Sequence, residues 1–313
     1  MKEAIGLSES LKAKLRGEKR EDQKNISFSQ YSVYESCPHR WYQTYAKGHK
    51  MFTGSINTVF GTAIHEAIQE YLRIMYQVTI KAADEYDIVG KFEQTFKSEY
   101  LKEKLSNNGN HFSTKEEMEE FFQDGVEILT AFKKKRADHF SNKNQELLGI
   151  EVPVNVEIGD DNDTFLFNGY VDFIYKDLRD GTIYIEDFKT STKGWSKYEK
   201  GDDIKQSQVL FYKKYFSKQF GVDIKNIVPR YRILRRKLWE NSDFPQSRIQ
   251  MHEPANGTAK INAAMQRMAI FISNAFNPDG SYKEKQFDKN PSPSNCRFCP
   301  FKDDDALCNK KNG

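Results

Sequence analysis

No stretch of this chain approaches the roughly 18 consecutive apolar residues that a membrane-spanning helix needs. The first 24 residues mix Lys, Arg and Glu without an apolar segment, so they do not read as a secretory signal. Cysteine is scarce, at four among 313 residues. No Walker P-loop, helicase signature or glycine-rich dinucleotide motif occurs, so ATP-driven unwinding by this chain is not expected. Charge of one sign is also in short supply: 48 Lys and Arg against 45 Asp and Glu leave a net +3. That balance does not demand a nucleic-acid partner, although a mean charge can hide a local basic groove. No internal repeat is visible. Without a signal, the expected setting is the cytoplasm of a bacterial, archaeal or phage-infected cell. Thiols stay reduced there, and four cysteines read better as ligands than as disulfides.

What the chain does contain is core material: 38% hydrophobic residues, 13% of all residues being aromatic, against 30% charged. Residues 1–25 read as a charged extension. The Ser27-Phe-Ser29 start is an N-cap pattern leading into a helix over Gln30 to Ala46. A polar loop at 53–58 precedes a helix over 59–77, in which Gly61, Ile64, His65, Ile68, Leu72 and Met75 share one stripe. Further helices are expected near 84–105 and 114–140, separated by a polar break. The texture then alternates over 147–158, 164–175 and 182–190, with a hairpin turn near 179–181. A helix at 203–219, strands at 228–238 and 247–252, and a helix at 257–275 follow. The expected fold class is α/β: a mixed central sheet flanked by helices, with an N-terminal helical region.

The densest chemistry lies in the hairpin. Gly169-Tyr-Val-Asp172 precedes the turn, and Ile183-Tyr-Ile-Glu-Asp187-Phe-Lys189-Thr-Ser follows it. Asp187 and Lys189 are two apart on a strand and share a face. The turn brings Asp172 opposite them. Acids avoid such apolar strand positions unless a cation neutralises them. Carboxylate oxygens suit hard ions such as Mg²⁺ and Mn²⁺. Such an ion polarises a phosphate and lowers the pKa of a bound water, and a neighbouring lysine stabilises developing negative charge. The plainer reading is a half-exposed hairpin whose acids face solvent.

Gly61-xxx-His65, Gly169-xx-Asp172, Asp187-x-Lys189 and Gln208-xxx-Tyr212, in that order, resemble the RecB-type branch of the PD-(D/E)XK nucleases. That branch includes the nuclease domains of RecB and AddB and the CRISPR-adaptation exonucleases. The resemblance covers roughly residues 27–310 and is weak over 80–145, which reads as a helical insertion. It implies a restriction-endonuclease-like domain over residues 26–313 with His65, Asp172, Asp187 and Lys189 as the catalytic set. His65, Asp172 and Asp187 are the implied ligands of Mg²⁺ or Mn²⁺, and Gln208 and Tyr212 line the site. Asp187 stands where the family more often has Glu. Glu66 points about 100° around the helix from His65 and is left out. Glu151 reads as solvated surface, with a secondary acidic contact at the site as the alternative.

The four cysteines are Cys37, followed by Pro38, and then Cys296, Cys299 and Cys308 in a C-x₂-C-x₈-C pattern. Ligand chemistry alone leaves zinc and an iron–sulfur cluster equally open. The split spacing is similar to the iron–sulfur staple of AddB and the CRISPR-adaptation exonucleases. This implies a [4Fe-4S] cluster joining segments around 37 and 296–308, with structural Zn²⁺ as the alternative.

Two basic runs, Arg230 to Trp239 and Lys133 to Arg136, could neutralise phosphates or could be solvated faces. Lys193-Gly-Trp195 is a candidate loop over the site. The resulting expectation is a metal-dependent DNA exonuclease acting on single-stranded DNA or DNA ends in recombination, repair or phage DNA processing. Any helicase or recombination partner would be a separate protein. The alternatives are a catalytically idle DNA-binding or assembly subunit and a zinc-stabilised structural protein.

Overall fold

The structure is a computed structural model that describes residues 23–49, 51–52, 54–159, 164–242 and 244–308. The charged extension expected over 1–25 therefore lies outside the described residues up to position 22. Its last members, Lys24 and Asn25, belong to a strand, β1 (Lys24–Ile26).

Ser27 caps helix α1 (Phe28–Ser36) by accepting the Gln30 amide, as the sequence pattern predicts. The helix does not continue to Ala46. Pro38 cannot supply a helical amide, so the chain breaks at Cys37, with φ −161°. Cys37 caps the short α2 (Pro38–Trp41), whose first turn takes the proline well. A π-helical turn, Tyr42–Ala46, follows. Helix α3 (Ile56–Gln77) starts before the expected residue 59, with Ser55 as its cap. The expected helix at 84–105 is two: α4 (Ile80–Glu85) and α5 (Ile88–Ser106), which Asp87 caps through the Gly90 amide. Helix α6 spans Lys115–His139.

Strands β2 (Gln145–Ile158), β3 (Phe165–Asp177) and β4 (Ile183–Ser191) fall close to where alternation places them. Gly181, with φ +79°, supplies the left-handed residue of the β3–β4 turn. Helices α7 (Lys197–Gly201) and α8 (Asp203–Phe220) cross over to β5 (Ile227–Arg235), which runs parallel to β4. β6 (Ile249–His252), α9 (Thr258–Ala275) and α10 (Pro293–Arg297) complete the described elements.

Among the described residues six strands form one mixed sheet, with path β1-β3-β4-β5-β6 and β2 on the far side of β3. Two cores lie on its faces. Ile183, Ile185 and Ile233 pack with α1, α2, α8 and α9. Phe173, Phe188 and Leu234 pack with α3 to α6. No described helix is long and apolar enough to cross a membrane.

One irregularity positions everything that follows. β4 pairs with β3 only over residues 173–176, whereas β1 pairs with the same edge of β3 over 165–167. Between them, residues 168–172 leave that edge open. The sheet is therefore split beside Asp172.

Candidate active site

Asp172 sits where β3 parts from β4. Its Oδ2 accepts the Phe188 amide at 2.7 Å, so the side chain replaces the next rung of the ladder. The same oxygen lies 3.5 Å from His65 Nδ1, which α3 delivers from the opposite layer. The His65 ring meets Phe188 edge-on, with centroids 6.1 Å apart. Asp187 is 2% exposed, and its Oδ2 lies 2.7 Å from Lys189 Nζ. That oxygen has the lysine's charge but no well-directed hydrogen bond. The sequence-derived set of His65, Asp172, Asp187 and Lys189 thus meets at one place.

The electrostatics are those of a crowded, dry site. Burial pushes the Asp187 carboxyl up to about 6; Lys189 pulls it down and Asp172 pushes it further up. Burial opposes the Lys189 charge, but Asp187 and Asp172 outweigh it and hold the ammonium above its ordinary range. The Tyr212 phenol is raised by burial and then by Asp187. Gln208 Nε2 donates to Tyr212 Oη at 3.1 Å, so these two α8 residues are linked one turn apart.

Gly169 explains how Tyr212 reaches the strand. A Cβ at position 169 would lie 2.8 Å from Tyr212 Cε1. Gly169→Ala is expected to displace the ring and destabilise the protein by about 1–3 kcal/mol, as overpacking does. Chemical denaturation of the variant against the wild type measures this. Gly61 is less constrained, since a Cβ there would meet Thr190 Oγ1 at an ordinary 3.6 Å.

A cleft of about 270 Å³ opens beside the set, lined by His65, Glu66, Gln69, Glu151, Lys189 and Thr190. Glu151 is not simply solvated surface, as its sequence context suggests. Its Oε1 accepts Gln69 Nε2 at 2.6 Å. Its φ of +52° is rare for a residue with a Cβ. The flanking register, Ile150 with Phe173 and Val152 with Val171, sets it across from Asp172. No sequence signal marks a positive φ at a glutamate within a strand. Glu66 is held at the rim by Thr95 at 3.1 Å and Lys91 at 3.2 Å.

The basic runs are largely spent inside the protein. Arg232 is 1% exposed and pairs with the fully buried Glu186. Arg236 and Lys237 pair with Asp124 at 3.1 and 2.8 Å, and Arg230 pairs with Glu253 at 3.1 Å. In the other run, Lys133 caps the carbonyls of Asp84 and Tyr86, and Arg136 pairs with Asp84 at 3.2 Å. Neither run is the free stripe that its composition suggests.

The four cysteines, far apart in sequence, line one cavity at the chain's ends together with His39 and Lys289. Burial raises the Cys308 thiol, and Cys299, Cys37 and Cys296 add to the shift while Lys289 opposes it, so the sulfurs sense one another. Asn290 and Asn295 donate to the Ser36 carbonyl at 3.0 and 2.8 Å, and His39 Nε2 lies 2.7 Å from the Leu307 carbonyl. Among the described residues, no group of three or more His, Cys, Asp or Glu side chains is arranged to hold a metal ion as it stands.

The split mixed sheet thus presents two acids and a lysine at one place. The chain belongs to the PD-(D/E)XK nuclease superfamily, whose model matches residues 25–304. No curated protein matches it in sequence. The solved structures it is similar to include "Crystal structure of SSO0001", at 13% identity over 97% of this chain and 94% of that one. With a TM-score of 0.36, that likeness is too loose to support any inference.

Proposed function

We propose that this nuclease is a metal-dependent deoxyribonuclease working at the β3/β4 split, as an exonuclease on single-stranded DNA or DNA ends. The observation that carries the proposal is the convergence of Asp172, Asp187, Lys189 and His65 there. Asp187 is held with its carboxyl at about 6 and one oxygen lacking a hydrogen bond. A buried acid that stays raised even with the Lys189 ammonium 2.7 Å away fits a hard cation. Mg²⁺ or Mn²⁺ would be held by Asp172, Asp187 and His65, and would supply Lewis-acid polarisation and a bound water of lowered pKa.

The chain's own residues have distinct tasks. Asp172 holds its orientation through the Phe188 amide. Lys189 places a positive charge beside the two acids, where a phosphorane-like transition state gathers negative charge. Gln208 and Tyr212 wall the site from the α8 side. Lys189→Ala is therefore expected to lower kcat at least a hundredfold while KM moves little. Steady-state kinetics on a fluorescent oligonucleotide tests this, and a change confined to KM would make Lys189 a substrate-binding residue. The substrate preference is tested by digesting linear and circular single-stranded DNA with Mn²⁺. Only the linear form should disappear, and cleavage of the circle would establish endonuclease action.

For the cysteines, the shared cavity supports one metal centre. The resemblance of the split spacing to the iron–sulfur staple of AddB and the CRISPR-adaptation exonucleases implies a [4Fe-4S] cluster as a structural staple, with zinc as the alternative.

A further inference from the structure

The parallel pairing of β4 and β5 continues beyond both strands. The Arg236 amide donates to the Ser191 carbonyl at 2.9 Å, and the Lys237 amide donates to the Thr192 carbonyl at 2.7 Å. Two connections leave from this edge, the same end of β4 that carries Lys189. One is the turn Lys193-Gly194, where Gly194 has φ +89° and a Cβ would lie 3.1 Å from Arg235 Cδ and Nε. The other is the loop after Lys237, which begins with Leu238 and Trp239.

Both connections are pinned by side-chain amides. Gln246 accepts the Trp239 amide at 2.7 Å and donates to its carbonyl at 2.6 Å. Gln250 does the same for Trp195, at 2.7 and 3.1 Å. Trp239 is nevertheless 56% exposed, unlike Trp41 and Trp195, which are buried. Lys193 Nζ lies 3.9 Å from the centre of the Trp239 ring. Among the described residues, neither Lys193 nor Arg235 makes an ion pair, in contrast to the neighbouring Arg236 and Lys237. Glu240 is the acidic neighbour in sequence.

A large exposed indole on a fixed backbone is unfavourable in water and is well suited to binding, because little freedom remains to be lost. The Lys193 ammonium beside the ring selects a partner that offers a flat ring and a negative charge together. An unpaired nucleotide offers both. In a duplex the bases already stack on each other and the ring faces are closed. From Lys189 to Lys193 is four residues, about 13 Å of extended chain, so a strand held at the split can reach Trp239 within a few nucleotides.

We infer that Trp239, with Lys193 beside it, is a stacking platform for an unpaired nucleotide of the DNA strand held at the β3/β4 split. The inference rests on the nuclease reading of that site and names where the strand is gripped.

The test is intrinsic fluorescence titration of the full chain with oligodeoxythymidylate in EDTA, where no cleavage occurs. Trp239 is the exposed indole, so stacking should quench the emission. Trp239→Ala should abolish the quenching and weaken binding about tenfold or more, while Trp239→Tyr should retain most of the affinity. Lys193→Ala should weaken binding and lower the slope of log affinity against log salt by about one. Melting temperatures of the variants should match the wild type, since both side chains are at the surface. A blunt duplex should quench much less. Binding without quenching, or equal affinity in Trp239→Ala, overturns the platform. Absence of any binding also overturns it. Mn²⁺-dependent digestion by the same wild-type sample then shows separately whether the nuclease reading survives.

Discussion

Asp187→Asn is expected to abolish DNA cleavage and, in metal-free protein at neutral pH, to raise the melting temperature. The first effect follows from removing a carboxylate from the acid–acid–lysine set. The second follows from burial, which lifts the carboxyl from 3.8 to about 6. Between those values the folded state keeps a proton that the unfolded state releases. The charged form of Asp187 therefore lowers stability above about pH 6, and that loss disappears as the pH falls towards 4. The full difference is about 3 kcal/mol as an order of magnitude. At about 2–4 °C per kcal/mol for a chain of this size, the neutral amide should melt several degrees higher at pH 8. The gap should close near pH 4. His139 and His252 are held low by burial and lose stability in part of the same range, so wild type and variant must be compared at each pH. Equal melting curves at pH 8 would show that the acid is not held under electrostatic strain.

The second large effect concerns the chain ends. Cys37→Ala removes one of four sulfurs around the shared cavity. The proposed metal centre there would tie α1 and α2 to the segment from Cys296 to Cys308, closing a loop of most of the chain. Its loss should cost several kcal/mol and lower the melting temperature by roughly 10 °C. The wild type is expected to show the broad visible absorption of a cluster, and Cys37→Ala to lack it. The amides of Asn290 and Asn295 still clasp Ser36, so the ends are not released completely. A colourless wild type with stoichiometric zinc would keep the staple and replace the cluster. An unchanged melting curve in a protein without metal would remove the staple.

The site was legible where local rules govern it. The alternating hairpin, the stripe carrying His65 and the turn of α8 between Gln208 and Tyr212 can each be read from spacing. Their convergence could not be read from spacing alone; the motif order supplied it. What escaped the sequence depends on long-range pairing. β1 is three residues long and exists because the edge of β3 is open there. Glu151 enters the cleft through a backbone conformation that its residue type disfavours. In the sequence the basic run from Arg230 reads as a phosphate-binding stripe or a solvated face, because its partners Glu186, Asp124 and Glu253 lie far from it along the chain. Conversely, Pro38 was a local signal: it stops α1 at Cys37 and sets that cysteine between two helices.

The most direct measurement is digestion of end-labelled linear single-stranded DNA by purified wild type, Asp172→Ala and Asp187→Asn. Mn²⁺ or Mg²⁺ is supplied, with EDTA as the control. The wild type should degrade the strand only with metal, and both variants, folded by circular dichroism, should leave it intact. Metal-dependent cleavage at the wild-type rate by either variant would contradict the assignment of the active site to the β3/β4 split.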